Sequence, residues 1–490
     1  MYNNVPIRVI VPDMKEKNEK ISWVAIALMA FTTVWSFGNV ANGFVYFNGT
    51  KVIASWISLF ILYFIPYALM VGELGSAFKL EGGGVSSWIN RTVNAKAAYY
   101  AGWTYWACHV TYIASKGSAS LKSLAWAVFR NAETYDSIPT LYIQLTTLLT
   151  LFIGCFIASR GIKPLKRILT IGGTCAFVMS ILYIILMFAV PLFVPKTNYI
   201  KTSYTIKSFV PDLSLSYVTT LSVLVFAVGG CEKTSPYVNK LERPGKDFPK
   251  AMIMLASMVV AVAFMGTIAM GKMFDPDVIN SSKETFDSYV ANSHFWAYQK
   301  LGQYYHIGDT FLIVYAITNA ISQFAVLVLS IDAPLRMLLD NEATSQYIPL
   351  WLKTTNKNGN HTHGIIMVAV LSGSLILIQS IVPGASSVIS QLTKLNAVCM
   401  PMRYLWVFAA YIALKKNLNN EADYIFLKRK KWGMFAGIWC FSITLICCIF
   451  GMYDKDPFVF ATNVITPVIL TILGLILPQI AKIEKKRTAV

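Results

Sequence analysis

Charge is scarce in this chain. Of its 490 residues 13% are Asp, Glu, Lys or Arg, while 56% are apolar. A soluble protein of this size carries about 25% charged residues. The shortage excludes a water-soluble fold, because the long apolar runs could not all be buried in one core. The runs are continuous and lack the weak alternation of about ten residues that marks a membrane β-barrel. Histidine is sparse too: there are five, and only His109 falls in an apolar helix. No paired carboxylates or i,i+4 histidines occur within the membrane, so a membrane-embedded enzyme is not expected. The eight cysteines all lie in apolar segments without metal-ligand spacing, and read as packing residues rather than disulfides or ligands. A Walker motif is missing, so any transport is driven by gradients alone. A cleavable signal is missing as well, since Met1 to Lys20 is polar and mixed in charge. No cofactor, metal or nucleic-acid partner is expected. The net charge of +18 reads as basic cytoplasmic loops.

What is present is a series of apolar runs, each able to span a bilayer core that takes about 20 helical residues. Twelve helices are expected: Ile21–Phe47, Val52–Gly72, Ala98–Phe129, Leu141–Ala158, Leu165–Leu192, Tyr217–Lys240, Ala251–Met273, Thr310–Leu339, Gly364–Val382, Ser386–Leu414, Trp432–Met452 and Phe458–Ile480. Pro383-Gly384 punctuates the turn before the tenth. With the N-terminus inside, cytoplasmic segments hold 29 Lys and Arg and outer segments 9, with Lys116, Lys122, Lys394 and Arg403 inside helices. That bias sets both termini in the cytoplasm. The segments are then a tail, 1–20; a first five-helix set, 21–192; a second, 193–414; two more helices, 432–480; and a short tail, 481–490. The outer segment Phe274 to Asp309 has room for short helices that cap a pathway.

Two helices look irregular. The first carries "VWSFGNVANG", Val34 to Gly43, and the sixth breaks at Gly229-Gly230 before Glu232 and Lys233. In hydrocarbon an unpaired backbone group costs several kcal/mol, so irregular backbone persists only where it lines a cavity. A single glycine pair more often serves close packing. Here the two breaks occupy corresponding places, because the sixth helix opens the second set of five. Five is odd, so the second set begins on the opposite face. Paired breaks in such an inverted repeat point to the midplane site of a secondary transporter. Unwinding is expected near Gly38–Asn39 and Gly229–Gly230.

Several side chains could do the work. Ser36, Gly38, Asn39, Gly229 and Gly230 would supply backbone and polar groups at the breaks. His109, Tyr112, Lys116 and Ser120 fall within about 80° of one another on the third helix at about 100° per residue. Lys116 is an intramembrane cation and a functional candidate for that reason, against the blander reading of a snorkelling lysine. Asn319, Gln323 and Phe324 sit mid-helix in the eighth span. Asp332 pairs with Arg336 at i,i+4 as a structural contact. Lys394 is a weaker candidate. Asn360, His361 and His363 read as solvated loop residues.

"GELGSAFKLEGGGVSSWI", Gly72 to Ile89, and "GGCEKTSPYVNKLERPGKDFPKAM", Gly229 to Met252, resemble the signatures of the amino acid–polyamine–organocation superfamily. The similarity runs from about Ser22 to Leu414. "FIPYALMVGEL", Phe64 to Leu74, is most similar to the glutamate:GABA antiporter branch. The resemblance implies an all-α integral membrane protein with twelve helices, a five-plus-five inverted-repeat (LeuT-type) core and discontinuous helices one and six. It implies a secondary active exchanger, by alternating access, of an amino acid for a related amino acid or its decarboxylated amine. The alternative is proton-coupled uptake of an amino acid or polyamine; a channel or sensing receptor on the same fold is a third class. Carried over, Glu232 would relay proton or substrate state, against the blander reading of a carboxylate capping a half-helix, and Phe226 would be an aromatic gate over the substrate, against simple core packing; Lys116 and His109 are further charge-coupling candidates from their own place on the third helix. Tyr112 and Gln323 would contact the substrate. The expected setting is a bacterial cell membrane. The ten residues after Ile480 are too few for the plug of the namesake antiporter, so that plug's pH gating is not an expectation here.

Overall fold

The computed structural model describes residues 20–194, 199–200, 205–211, 215–381, 400–417 and 422–488. Among them every regular element is helical, and the only β-pairing is isolated bridges. Nine helical segments among the described residues are long and apolar enough to cross a membrane. They correspond to nine of the expected spans, with ends that differ by up to seven residues. The remaining three differ for separate reasons. Ala95–Phe129 is one helix of 35 residues whose polar stripe lowers its apolar content. The sixth expected span divides into the α-helix Leu215–Ala227 and a 3-10 helix, Cys231–Lys240. Of the tenth, the described part is the helix Tyr404–Asn417 and the residues just before it. Pro383-Gly384, Lys394 and Cys399 lie outside the described residues, as does nearly all of the 1–20 tail.

The first span is also divided, into Trp23–Val34 and Phe37–Tyr46. Its extended residues are Trp35 (φ −137, ψ 143) and Ser36 (φ −144, ψ 165). The break therefore falls ahead of Gly38–Asn39, which occupy the first turn of the second half. The reason is chemical. Asn39 Nδ2 donates to Val34 O at 3.1 Å and to Ala227 O at 3.2 Å, so it caps the ends of both preceding half-helices. It can do so only from the next turn. At the second break Gly230 takes φ +112, which suits glycine. A Cβ on Gly229 would sit 2.2 Å from the Tyr404 ring, so only glycine admits that approach.

The Ala95–Phe129 and Thr310–Leu339 helices run side by side. Ser120 Oγ donates to Ala320 O at 2.9 Å, and Asn319 Nδ2 to Ser123 Oγ at 2.9 Å. Ser120 and Asn319 thus serve packing. The segment after Phe274 forms Pro276–Ile279 and a 22-residue helix, Lys283–Tyr304, longer than the short caps expected. Tyr298 stacks on Tyr315 at 3.9 Å and Phe295 on Trp126 at 4.8 Å, fixing that helix over the ends of the two long ones. The last helix runs on through Thr488. The expected tail is therefore helical over its described part, and Glu484 accepts from Leu350 N at 2.6 Å.

Two buried charge networks brace one end of the molecule. Glu73, fully buried, accepts from Lys415 Nζ at 2.5 Å, Tyr411 OH at 3.0 Å and Phe426 N at 3.0 Å. Asp332 accepts from Tyr237 OH at 2.6 Å and Arg336 Nε at 2.7 Å. Arg336 reaches on to Asn360 Oδ1 at 2.6 Å, and His361 Nε2 lies 2.7 Å from Asp340 Oδ1. Asn360 and His361 are buried, which corrects the reading of both as solvated. The remaining guanidinium N–H groups and Asp340 need partners, and the loop supplies them. His363, exposed beside Thr354, fits that reading.

Candidate functional site

The two breaks face each other across a small cavity of about 70 Å³. One wall is backbone: Thr33 to Ser36 with Asn39, and Phe226 to Gly229 opposite. Thr33 Oγ1 donates to Gly230 O at 3.4 Å across the gap. Asn39 N already donates to Ser36 O at 2.9 Å, so the N–H groups of Phe37 and Gly38 are the ones that present the positive end of this half-helix's dipole. Such a terminus suits a carboxylate.

The other wall is side chain, and it is cationic. Tyr112, Lys116, Lys233, Gln323, Arg403 and Tyr404 all line the cavity. Lys116 Nζ donates to Gln323 Oε1 at 3.1 Å and lies 5.1 Å from the Tyr112 ring centre. Lys233 Nζ lies 4.8 Å from that same ring. One tyrosine thus stands beside two lysine amino groups. Cations near a ring face within about 6 Å are attracted by its quadrupole, which helps hold both lysines at the cavity without neutralising either.

Behind this wall sits Glu232, fully buried. Tyr67 OH donates to its Oε2. A wide helical turn over Phe60–Phe64 precedes Tyr67 and sets its helix face. Arg403 Nε lies 3.8 Å from Glu232 Oε1, too far for a hydrogen bond, and both atoms are buried without a hydrogen-bond partner. The guanidinium is held instead at its other edge, with Nη1 2.9 Å from His109 Nε2. Its plane lies between Tyr105 and Tyr404, at 5.0 and 5.2 Å. His109 Nδ1 is 2.5 Å from Tyr105 O.

The expected residues therefore separate into three groups. Ser36, Asn39, Tyr112, Lys116, Phe226, Gly229 and Gln323 line the cavity. Gly38 and Gly230 shape its backbone from behind. Glu232 and His109 form a second layer that meets the cavity through Arg403. Phe226 is half-buried at the cavity edge. Asp332 takes no part, being committed to Arg336 and Tyr237. The third-helix stripe divides accordingly, with His109 turned to Arg403 and Ser120 to its neighbour helix.

Arg403 and Lys233 are the residues that sequence reasoning missed. Arg403 is an arginine inside an apolar helix, which by itself marks a functional candidate. Lys233 follows the sixth-helix break in sequence and reads there as part of the polar segment beyond it. The 3-10 turn after Gly230 brings it back into the cavity, with 3% of its surface exposed.

The amino acid permease family model matches residues 21–476. The chain belongs to the amino acid permease family. It is 41% identical over 482 residues to the aspartate/glutamate permease AcaP of Lactococcus lactis subsp. cremoris, covering 96% of this chain and 97% of that one. It is 26% identical over 440 residues to the inner membrane transporter YjeM of Salmonella typhimurium, covering 84% and 85%. It is 24% identical over 380 residues to the glutamate/gamma-aminobutyrate antiporter of Lactococcus lactis subsp. lactis, covering 74% and 70%. This permease is a multi-pass membrane transporter of amino acids, not an enzyme.

Proposed function

We propose that this permease carries an anionic amino acid of the aspartate or glutamate type through the cavity between the two helix breaks. The observation that carries this reading is charge. Lys116, Lys233 and Arg403 surround one cavity, and among the described residues Glu232 is the only carboxylate beside it. Buried charge without a partner is costly in a membrane, and a ligand with two carboxylates and one ammonium lowers that cost. The substrate's α-carboxylate fits the half-helix terminus at Phe37. The carbonyls of Val34 and Ala227, each with a lone pair left beyond its bond from Asn39, take its ammonium, and the lysines take its side-chain carboxylate. Gly38 and Gly230 keep the backbone open for that contact, and Phe226 closes over the bound ligand.

The wider frame is twelve spans, an inverted five-plus-five repeat over 21–192 and 193–414, and both termini in the cytoplasm. The paired breaks and the distribution of basic residues support it. In that frame transport is exchange by alternating access, the partner being a second amino acid or a decarboxylated amine. Glu232 and His109, linked through Arg403, report the charge state of the occupant. The second reading is proton-coupled uptake. Its support is Glu232 itself, a buried carboxylate with one oxygen left unpaired, able to hold a proton.

Proteoliposomes separate these readings. Labelled aspartate should enter faster when unlabelled aspartate is loaded inside; uptake driven by an inward proton gradient alone, indifferent to loading, selects the second reading. The amines made from aspartate or glutamate by decarboxylation should compete weakly at the binding site. Equal competition by amine and amino acid would remove the argument from charge.

A further inference from the structure

A pair of recesses lies on the outer side of the helix bundle, the first of them sharing Arg403 with the proposed substrate cavity. The first, about 660 Å³, is walled by Tyr100 and Thr104 of the Ala95–Phe129 helix, Trp406 of Tyr404–Asn417, and Pro467 and Leu470 of Pro457–Leu473. The second, about 520 Å³, is walled by Val93, Ile412, Ala413 and Ile438. The two share Ala409 and Phe441. Each volume falls within the roughly 300–1,000 Å³ of ordinary small-ligand sites. Their walls are largely apolar, with Val93 at 50% and Ile438 at 49% in the second and Thr471 exposed in the first, so both open sideways from the bundle.

Both recesses end on cations at the same end of the bundle. Lys96, exposed in the first turn of its helix, lines the first, and Lys416, exposed at the end of its helix, lines the second. Beside them Lys428, Arg429, Lys430 and Lys431 open the next helix, all exposed. The two helices touch there, since a Cβ on Gly433 would meet the Lys415 side chain at 2.7 Å. Clusters of Lys and Arg immediately flanking a membrane helix attract anionic headgroups. The pattern is two apolar slots side by side, one dividing ridge, and a basic rim over both.

We propose that these recesses form one site for an anionic diacyl phospholipid. Its two acyl chains straddle the Ala409–Phe441 ridge, one in each recess, and its phosphate meets Lys96 and Lys416. The forked shape argues for a lipid over a single-chain amphiphile, and the basic rim argues for an anionic head over a zwitterionic one. A second copy of the chain is a poorer occupant, because two recesses split by a ridge accept thin chains more readily than a helix face. The site also reaches the transport machinery: Arg403 lines the first recess as well as the substrate cavity, so a chain filling that recess supports the guanidinium from behind.

Native mass spectrometry of the full chain, extracted from phosphatidylcholine vesicles with and without phosphatidylglycerol, tests this. Phosphatidylglycerol should be retained about ten-fold over its share of the bilayer, since each nearby basic residue strengthens anionic binding several-fold. The double variant Lys96→Gln, Lys416→Gln, both at exposed positions, should lose that enrichment while folding normally. Ala409→Trp, which fills the ridge, should lower retention of both lipids; if it fails to fold, Ala409→Leu replaces it. Equal retention of the two lipids would overturn the proposal. So would undiminished enrichment in the lysine variant, unchanged retention in a folded ridge variant, or cysteine cross-linking of two copies through Val93 and Ile438.

Discussion

Two regions of this permease bury several charges each, and they do so in opposite ways. Around Glu73 every strong group has an answer: a lysine, a tyrosine hydroxyl and a backbone N–H converge on one carboxylate. Around Glu232 the count is left open. Three cations lie at or beside one carboxylate, and Glu232 Oε1 and Arg403 Nε face each other at 3.8 Å without a hydrogen bond. The first arrangement is a brace, tying the helix ending at Ala77 to Tyr404–Asn417 and to the chain at Phe426. The second leaves buried polar atoms unpaired, which is what the proposed binding site needs. Burial alone does not distinguish structure from function here; the state of pairing does.

The largest effect should come from breaking the brace. Glu73→Gln leaves Lys415 buried without a counter-charge, and removing one partner of a buried pair costs about 3–5 kcal/mol. Thermal unfolding in detergent should show a large drop, while any folded fraction binds aspartate as the parent does. A stable Glu73→Gln protein with weakened binding would erase the distinction between the regions. Arg403→Met should give the reverse. Binding should fall on the order of 100-fold, since truncating a buried charged partner costs about 2–5 kcal/mol at a site, while the unfolding midpoint moves less than in Glu73→Gln. Isothermal titration and thermal unfolding on the same preparation measure both.

A smaller effect is expected at Lys116. Lys116→Met keeps the bulk and removes one of three cations, so aspartate affinity should fall about ten-fold. Affinity for a decarboxylated amine should hold or rise. Unchanged binding of both ligands would reduce Lys116 to a snorkelling residue. Glu232→Gln addresses the charge link itself. Exchange should slow with folded yield intact, and an unaltered rate would confine Glu232 to capping the turn after Gly230.

The smallest effect sharpens the comparison from a third direction. His294, in the Lys283–Tyr304 helix outside the spans, has a buried Nδ1 without a hydrogen-bond partner. Burial first, and Lys122 second, push its pKa down to about 3. It solves the problem of burial by staying neutral. The unfolded chain binds this proton near pH 6.5, so stability is lost as pH falls below that value. Going from about pH 7 to about pH 6 costs roughly 0.7 kcal/mol. His294→Gln should remove that increment from the pH dependence of unfolding, and an unchanged acid slope would show that His294 is protonated in the folded state.

Membrane embedding, nine of the spans and the two breaks were legible along the chain. They depend on local hydropathy and on backbone-breaking residues, and both are properties of short windows. The position of the first break was misjudged because Gly38 and Asn39 look like breakers. Asn39 instead acts from inside the next turn, on carbonyls that only the assembled helices bring within its reach. His361 and Asn360 looked solvated because their segment is polar, yet Arg336 and Asp340 needed partners and draw both inside.

The sequence by itself determined that this protein lives in lipid, that two of its helices break, and that Tyr112 and Lys116 share one helix face. These follow from periodicity and from the cost of charge and unpaired backbone in hydrocarbon. Only the tertiary structure decided that Arg403 stands between His109 and Glu232, that Lys233 turns back beside Tyr112, and that the cavity is cationic. Those contacts join segments far apart in the chain, and the pattern within a segment says what it must bury but not which partner will cover it.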